Sequence, residues 1–171
     1  HPSALLPKYK NENGSVREIG MPEYSRNAIL KNRDMFKKVT KPIEICEDVF
    51  LTGEIPRKHL EEGCTPEKFC SDAAGEVVDD IPDDQALYMK TPPGIVVLLG
   101  CAHSGLINTL DYIYELTEGS PFKAVIGGTH LRSASNEKIR WTLHELKRFN
   151  IGLIAPAHCT GISATNAIMN A

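Results

Sequence analysis

Apolar positions along the chain fall into two regimes. From Pro7 to Thr40 the sequence is polar, rich in Lys, Arg and Asn, and broken by Gly14, Gly20 and Pro22. This predicts surface loop with one short helix near Ser25 to Phe36. Ile43 to Ile45 and Val49 to Thr52 are apolar, β-branched stretches around Cys46-Glu47-Asp48, and predict a short hairpin. Residues 53 to 82 carry several Pro, Gly and carboxylates with no sustained period, which predicts an irregular insertion or lid. Gln85 to Lys90 and Ile95 to Leu99 flank Thr91-Pro92-Pro93-Gly94, a second hairpin. Strand and helix then alternate. Ile95 to Leu99 leads to a helix at Leu106 to Leu116, Phe122 to Ile126 to a helix at Asn136 to Phe149, and Ile151 to Ala155 to a last helix. On the middle helix Ile139, Leu143, Leu146 and Phe149 recur on one face of a 3.6-residue period, the face expected to pack on a sheet.

Composition bounds the function. With 171 residues, 42% of them hydrophobic, the chain fits one domain with a sizeable core. Nineteen basic against 22 acidic residues give a net charge of −3 with no basic face, so a small-molecule substrate is expected and nucleic acid is not. The apolar runs are too short for a membrane span, and the N-terminus lacks a signal-peptide pattern. Cys46, Cys64, Cys70, Cys101 and Cys159 form an odd set with no Cys-x-x-Cys pair, which argues against a disulfide framework and a thiolate zinc knuckle and points to a reducing cytoplasm. The chain opens on His1-Pro2 without Met, and Ser163 to Ala171 reads as a helix still in pattern, so the expectation is a fragment.

One grammar occurs three times: an apolar strand, a turn of small residues, then a histidine. The turns are Gly100-Cys101-Ala102-His103, Gly127-Gly128-Thr129-His130 and Ala155-Pro156-Ala157-His158. In a layered fold, residues just past strand ends collect along one sheet edge, so three imidazoles 27 and 28 positions apart can converge. Imidazole suits zinc, manganese and iron, and a catalytic site wants about three protein ligands with one position open. His103 and His158 are the principal candidates. His130 reads either as a ligand or as a residue that orients one, with Thr129 turned inward. Ser104, Thr129 and Thr160, beside helix N-termini, are candidates to receive an anionic group of the substrate. His59 and His144 read as solvated, and Cys101 and Cys159 as small buried hydrophobes whose place beside two of the histidines leaves a redox role open.

Gly100-Cys101-Ala102-His103-Ser104-Gly105 with Asn108-Thr109, Gly127-Gly128-Thr129-His130-Leu131 and His158-Cys159-Thr160-Gly161 resemble the metallo-β-lactamase superfamily. The branch most similar is the 7,8-dihydropterin-6-methyl-4-(β-D-ribofuranosyl)aminobenzene-5′-phosphate synthase-like one, to which Gly53-Glu54-Ile55-Pro56-Arg57 and Asp83-Asp84-Gln85-Ala86-Leu87 also correspond. The resemblance covers about residues 42 to 171. It implies an α+β fold, the αββα sandwich of mixed sheets between helices, here its C-terminal part, with metal at one edge. His103 matches the third metal motif and His158 the last, while His130 falls near the slot of a bridging Asp. The leading His-x-His-x-Asp-His motif of the superfamily is absent from this sequence. The chain alone is therefore expected to bind metal weakly and to have little activity. For the parent protein the resemblance implies a metal-dependent hydrolase or transferase with one or two divalent ions, zinc before manganese or iron, acting on a small phosphorylated substrate. Arg57 is the candidate to hold the phosphate, because guanidinium pairs with it bidentately. The alternative is a catalytically inactive fold module that binds a ligand or partner.

Overall fold

The computed structural model describes residues 1–62 and 68–170. Cys64 and the middle of the expected lid, like Ala171 at the end of the last expected helix, lie outside the described residues. The chain divides into two compact units, residues 1–40 with 66–83 and residues 41–65 with 84–171.

The first unit corrects the expectation of surface loop. β1 (Tyr9–Glu12) and β2 (Ser15–Glu18) pair antiparallel, and β1 also pairs with a strand at Lys68–Cys70. The overlooked signal is Asn13-Gly14, both with positive φ (55° and 91°), the chemistry of a two-residue hairpin turn whose twist matches the strands it joins. Hydrophobic alternation is weak because β1 and β2 are short and none of their residues is fully buried. The expected helix appears as α1 (Glu23–Lys31), followed by a 3-10 turn at Arg33–Met35. Lys8 anchors this unit, its ammonium 2.6 Å from Asp79 and 2.8 Å from Asp83.

The second unit holds a six-stranded mixed sheet. With the strand at Lys68–Cys70 counted as β5, its members are β3 (Ile43–Cys46), β4 (Val49–Leu51), β6 (Ala86–Thr91), β7 (Gly94–Leu99), β8 (Phe122–Gly128) and β9 (Ile154–Ala157), paired in that order. The first four run antiparallel, and β7, β8 and β9 are parallel. Both predicted hairpins are present. So are the three strand-to-helix connections, through α2 (Leu106–Leu116), α3 (Asn136–Leu146) and α4 (Ile162–Met169), with β9 displaced three residues beyond its expected start.

Register explains which sheet face is covered. Tyr88 opposes Val97, and both are buried in the cluster built by Leu106, Ile107, Leu110 and Ile113 of α2 with Phe122, Leu146 and Phe149. Their strand neighbours alternate to the other face, where Leu87 opposes Leu98 and Met89 opposes Val96, all half-buried or exposed. On α3, Ile139 and Leu146 are buried, and Leu143 packs against both core clusters as its periodicity predicts.

Part of the expected lid is tied down. Ile55 is buried in the core, and the buried Asn108 accepts the backbone N–H groups of Lys58 (2.8 Å) and His59 (2.9 Å). Buried Glu62 accepts from the N–H groups of Ile107 (2.9 Å) and Asn108 (2.6 Å), which are orphan donors of the first turn of α2. His59 is not simply solvated: its ring is half-buried and lies 2.6 Å from the Asp111 carboxylate.

Candidate metal-binding rim

Parallel pairing of β7, β8 and β9 brings their C-terminal ends to one edge, where the three histidine turns collect. The rings of His103 and His130 lie with centroids 4.2 Å apart, tilted by 51°. His158, just past β9, is exposed. Its neighbour Cys159 links it to the other two turns: the Cys159 sulfur accepts the His130 backbone N–H at 3.3 Å and donates to the Cys101 carbonyl at 3.6 Å.

The backbone of these turns is unusual. Ala102 (φ 52°), His130 (φ 52°) and His158 (φ 49°) all occupy the left-handed region, a conformation that costs a non-glycine residue about 1 kcal/mol or more and tends to cluster at functional sites. Gly128 allows the turns to close up. A Cβ there would stand 2.5 Å from the Gly100 carbonyl oxygen and 2.7 Å from the Cys159 sulfur. Side-chain bulk is excluded because the β7 and β9 turns meet over the end of β8.

Each sequence-predicted residue has a place. Arg57 is exposed, and its guanidinium donates to the His103 carbonyl at 2.9 Å, which holds the cation beside the rim. Thr129 and Thr160 are buried with hydroxyl oxygens 3.0 Å apart, and Thr160 also accepts the Thr129 N–H at 3.2 Å. They brace the β8 turn against the β9 turn. Ser104, buried too, gives its N–H to the Asp84 carboxylate at 2.7 Å.

Three participants are not among the metal or substrate contacts expected from sequence, in which Cys101 and Cys159 read as small buried hydrophobes with a redox role open. Cys101 and Cys159 are half-buried, and with His158 their donor atoms all lie within 4.8 Å of one another. Burial, then the adjacent Cys159 thiol, pushes the Cys101 thiol up to about 12. Arg132, exposed, donates to the His158 carbonyl at 3.3 Å, as Arg57 does to that of His103. The thiols were legible only as neighbours of the motif histidines, since 58 positions separate them; Arg132 carries no motif signal at all.

No family model matches the chain. It is 32% identical over 165 residues to an uncharacterized protein of Methanocaldococcus jannaschii, covering 96% of this chain and 58% of that one. It is 30% identical over 131 residues to the 7,8-dihydropterin-6-methyl-4-(β-D-ribofuranosyl)-aminobenzene-5′-phosphate synthase of the same organism, covering 75% of this chain and 45% of the synthase. Among solved structures it superposes on Tm1679, described as a metal-dependent hydrolase of the β-lactamase superfamily, with TM-score 0.75 and 27% identity over 96% of this chain and 60% of that one. The chain thus spans about half the length of the relatives it matches. The fold is that of the metallo-β-lactamase superfamily. In sequence the chain is similar to the dihydropterin ribofuranosylaminobenzene phosphate synthase.

Proposed function

We propose that this chain carries part of the active site of a metal-dependent enzyme, in which His103, His130 and His158 present imidazoles to one or two divalent ions and Arg57 binds the phosphate of a small substrate. The observation that carries this reading is the meeting of the His103 and His130 rings at 4.2 Å on the sheet edge that also bears His158. The donor chemistry fits zinc, with manganese and iron the alternatives, because imidazole is a ligand common to all three. When bound, such an ion supplies charge stabilisation on a phosphate or carbonyl oxygen and lowers the pKa of water.

This chain's own residues do the positioning. Thr129, Thr160 and Cys159 fix the β8 and β9 turns, so the imidazoles start from a set geometry. Arg57, held on the His103 carbonyl, keeps a guanidinium beside the reacting region for an anionic substrate group. Hydrolysis and synthase-type transfer both use such an arrangement. The similarity to a synthase whose name contains a 5′-phosphate favours a phosphorylated substrate. A small-molecule partner and a cytoplasmic setting complete the proposal. Among the described residues no helix is long and apolar enough to cross a membrane.

Metal content and phosphate-ester turnover of the parent protein test this reading together. Metal-dependent turnover lost in His158→Ala supports an enzyme, whereas ligand binding without turnover favours the inactive module. Arg57→Ala should raise KM for a phosphorylated substrate, and unchanged kinetics would remove that role.

A further inference from the structure

We infer that Cys101, Cys159 and His158 form a sulfur-rich site for a thiophilic divalent cation of the zinc class. The inference rests on the metal reading of His158 above and deepens it, because it adds sulfur to a donor set otherwise made of imidazoles.

Geometry carries the argument. The two sulfurs and one imidazole nitrogen already lie within 4.8 Å of one another. A tetrahedral zinc site with bonds of about 2.3 Å to sulfur and about 2.0 Å to nitrogen separates its donors by roughly 3.5–3.8 Å. A contraction of about 1 Å therefore suffices, which rotation of side chains supplies. The sulfurs come from turns 58 positions apart, and Gly128 is what lets them meet, since a Cβ there would stand 2.7 Å from the Cys159 sulfur. The backbone N–H of His130 points at that sulfur from 3.3 Å, the type of outer bond that stabilises a ligating thiolate. His158 is exposed at the rim, so its ring has room to turn toward the thiols.

Two sulfurs and one imidazole fill three tetrahedral positions and leave the fourth for water or substrate. Sulfur donors select soft cations over magnesium or manganese. On binding, each thiol loses its proton to solvent as a metal–sulfur bond forms, so two protons are released per ion.

Cadmium titration of the reduced, metal-stripped chain tests the site. A sulfur-to-cadmium charge-transfer band should grow to saturation with a fitted stoichiometry of one ion per chain, fall to about half in Cys101→Ser and in Cys159→Ser, and remain in Cys46→Ser. Zinc in large excess should diminish it, the softer cadmium being held more tightly by sulfur. Cadmium bound with no such band, or a band unchanged in the double serine variant, overturns the sulfur site and leaves the imidazole reading standing; no binding at all overturns both. Should a serine variant fail to fold, the ¹¹³Cd chemical shift of the unsubstituted protein decides the same point. A resonance shifted downfield as for sulfur ligation supports the site, and one in the nitrogen and oxygen range contradicts it.

Discussion

His103 and His130 stand 27 positions apart in sequence, yet their rings meet at a centroid distance of 4.2 Å. The contact is produced by parallel pairing of β7 with β8, in which Leu99 is level with Gly127, so that the residues following each strand emerge side by side. Its precision depends on the turns that follow.

Gly128→Ala tests that dependence. The added methyl meets the Gly100 carbonyl oxygen and the Cys159 sulfur closer than van der Waals contact allows, and backbone cannot yield as a flexible side chain can. Overpacking of this kind costs about 1–3 kcal/mol. A lower denaturation midpoint with unchanged m-value is expected, together with weaker metal binding. Wild-type values for both would mean that the turns tolerate separation.

Glu62 gives a pH dependence with a definite sign. Burial raises its pKa above 4.5, outweighing the opposing backbone hydrogen bonds from Ile107 and Asn108. The folded form therefore holds the proton more tightly than the unfolded one. Its contribution is fully present below pH 4.5 and is lost as pH rises through the folded pKa. Glu62→Gln should flatten stability over that window. Glu62→Ala, which leaves two N–H groups of α2 without their acceptor, should cost about 1–3 kcal/mol at every pH. Urea titrations between pH 4 and pH 8 check both.

In the first unit, Lys8 is 14% exposed between Asp79 and Asp83. Desolvation lowers its pKa, but the hydrogen bonds and charges of the two carboxylates outweigh it, and the net shift is upward from 10.5. The ion cluster thus adds stability below pH 10.5 that is lost as pH rises through the folded pKa. Lys8→Met leaves two poorly solvated carboxylates facing each other and should cost about 3 kcal/mol, since removing one partner strands the charge of the other. Faster hydrogen exchange in β1 and β2 would report it locally, and an unchanged exchange pattern would contradict it.

Thiol alkylation should discriminate among the cysteines. Cys46 is exposed, whereas Cys101 is half-buried with its thiol pushed up to about 12, so at pH 8 only a minute share is thiolate. Peptide mass spectrometry after brief iodoacetamide treatment should find Cys46 modified and Cys101 intact. Equal modification would contradict the burial of Cys101.

The fold was legible where local signals agreed with the tertiary result. Both hairpins of the larger sheet and α2 follow from alternation and turn residues, and the histidine rim follows from strand-end grammar repeated three times. The β1–β2 hairpin was missed because its strands carry charge on both faces, so hydrophobic period was silent and Asn13-Gly14 was the remaining cue. Thr129 and Thr160 read as substrate contacts because a polar residue at a strand end looks available. Only the packing of the β8 turn on the β9 turn reveals that the Thr129 hydroxyl and the Thr160 oxygen are hydrogen-bonded to each other. The meeting of Cys101 with Cys159 is likewise a product of register, which no spacing rule contains.

Zinc competition against a chromophoric chelator tests most directly whether the rim holds a divalent metal. The chain should bind zinc weakly, and His158→Ala and His103→Ala should each weaken that binding by at least about tenfold, since even residues that merely support ligands cost about 10–100-fold. Zinc affinity unchanged by either substitution, or no zinc bound by the folded chain, would contradict the account.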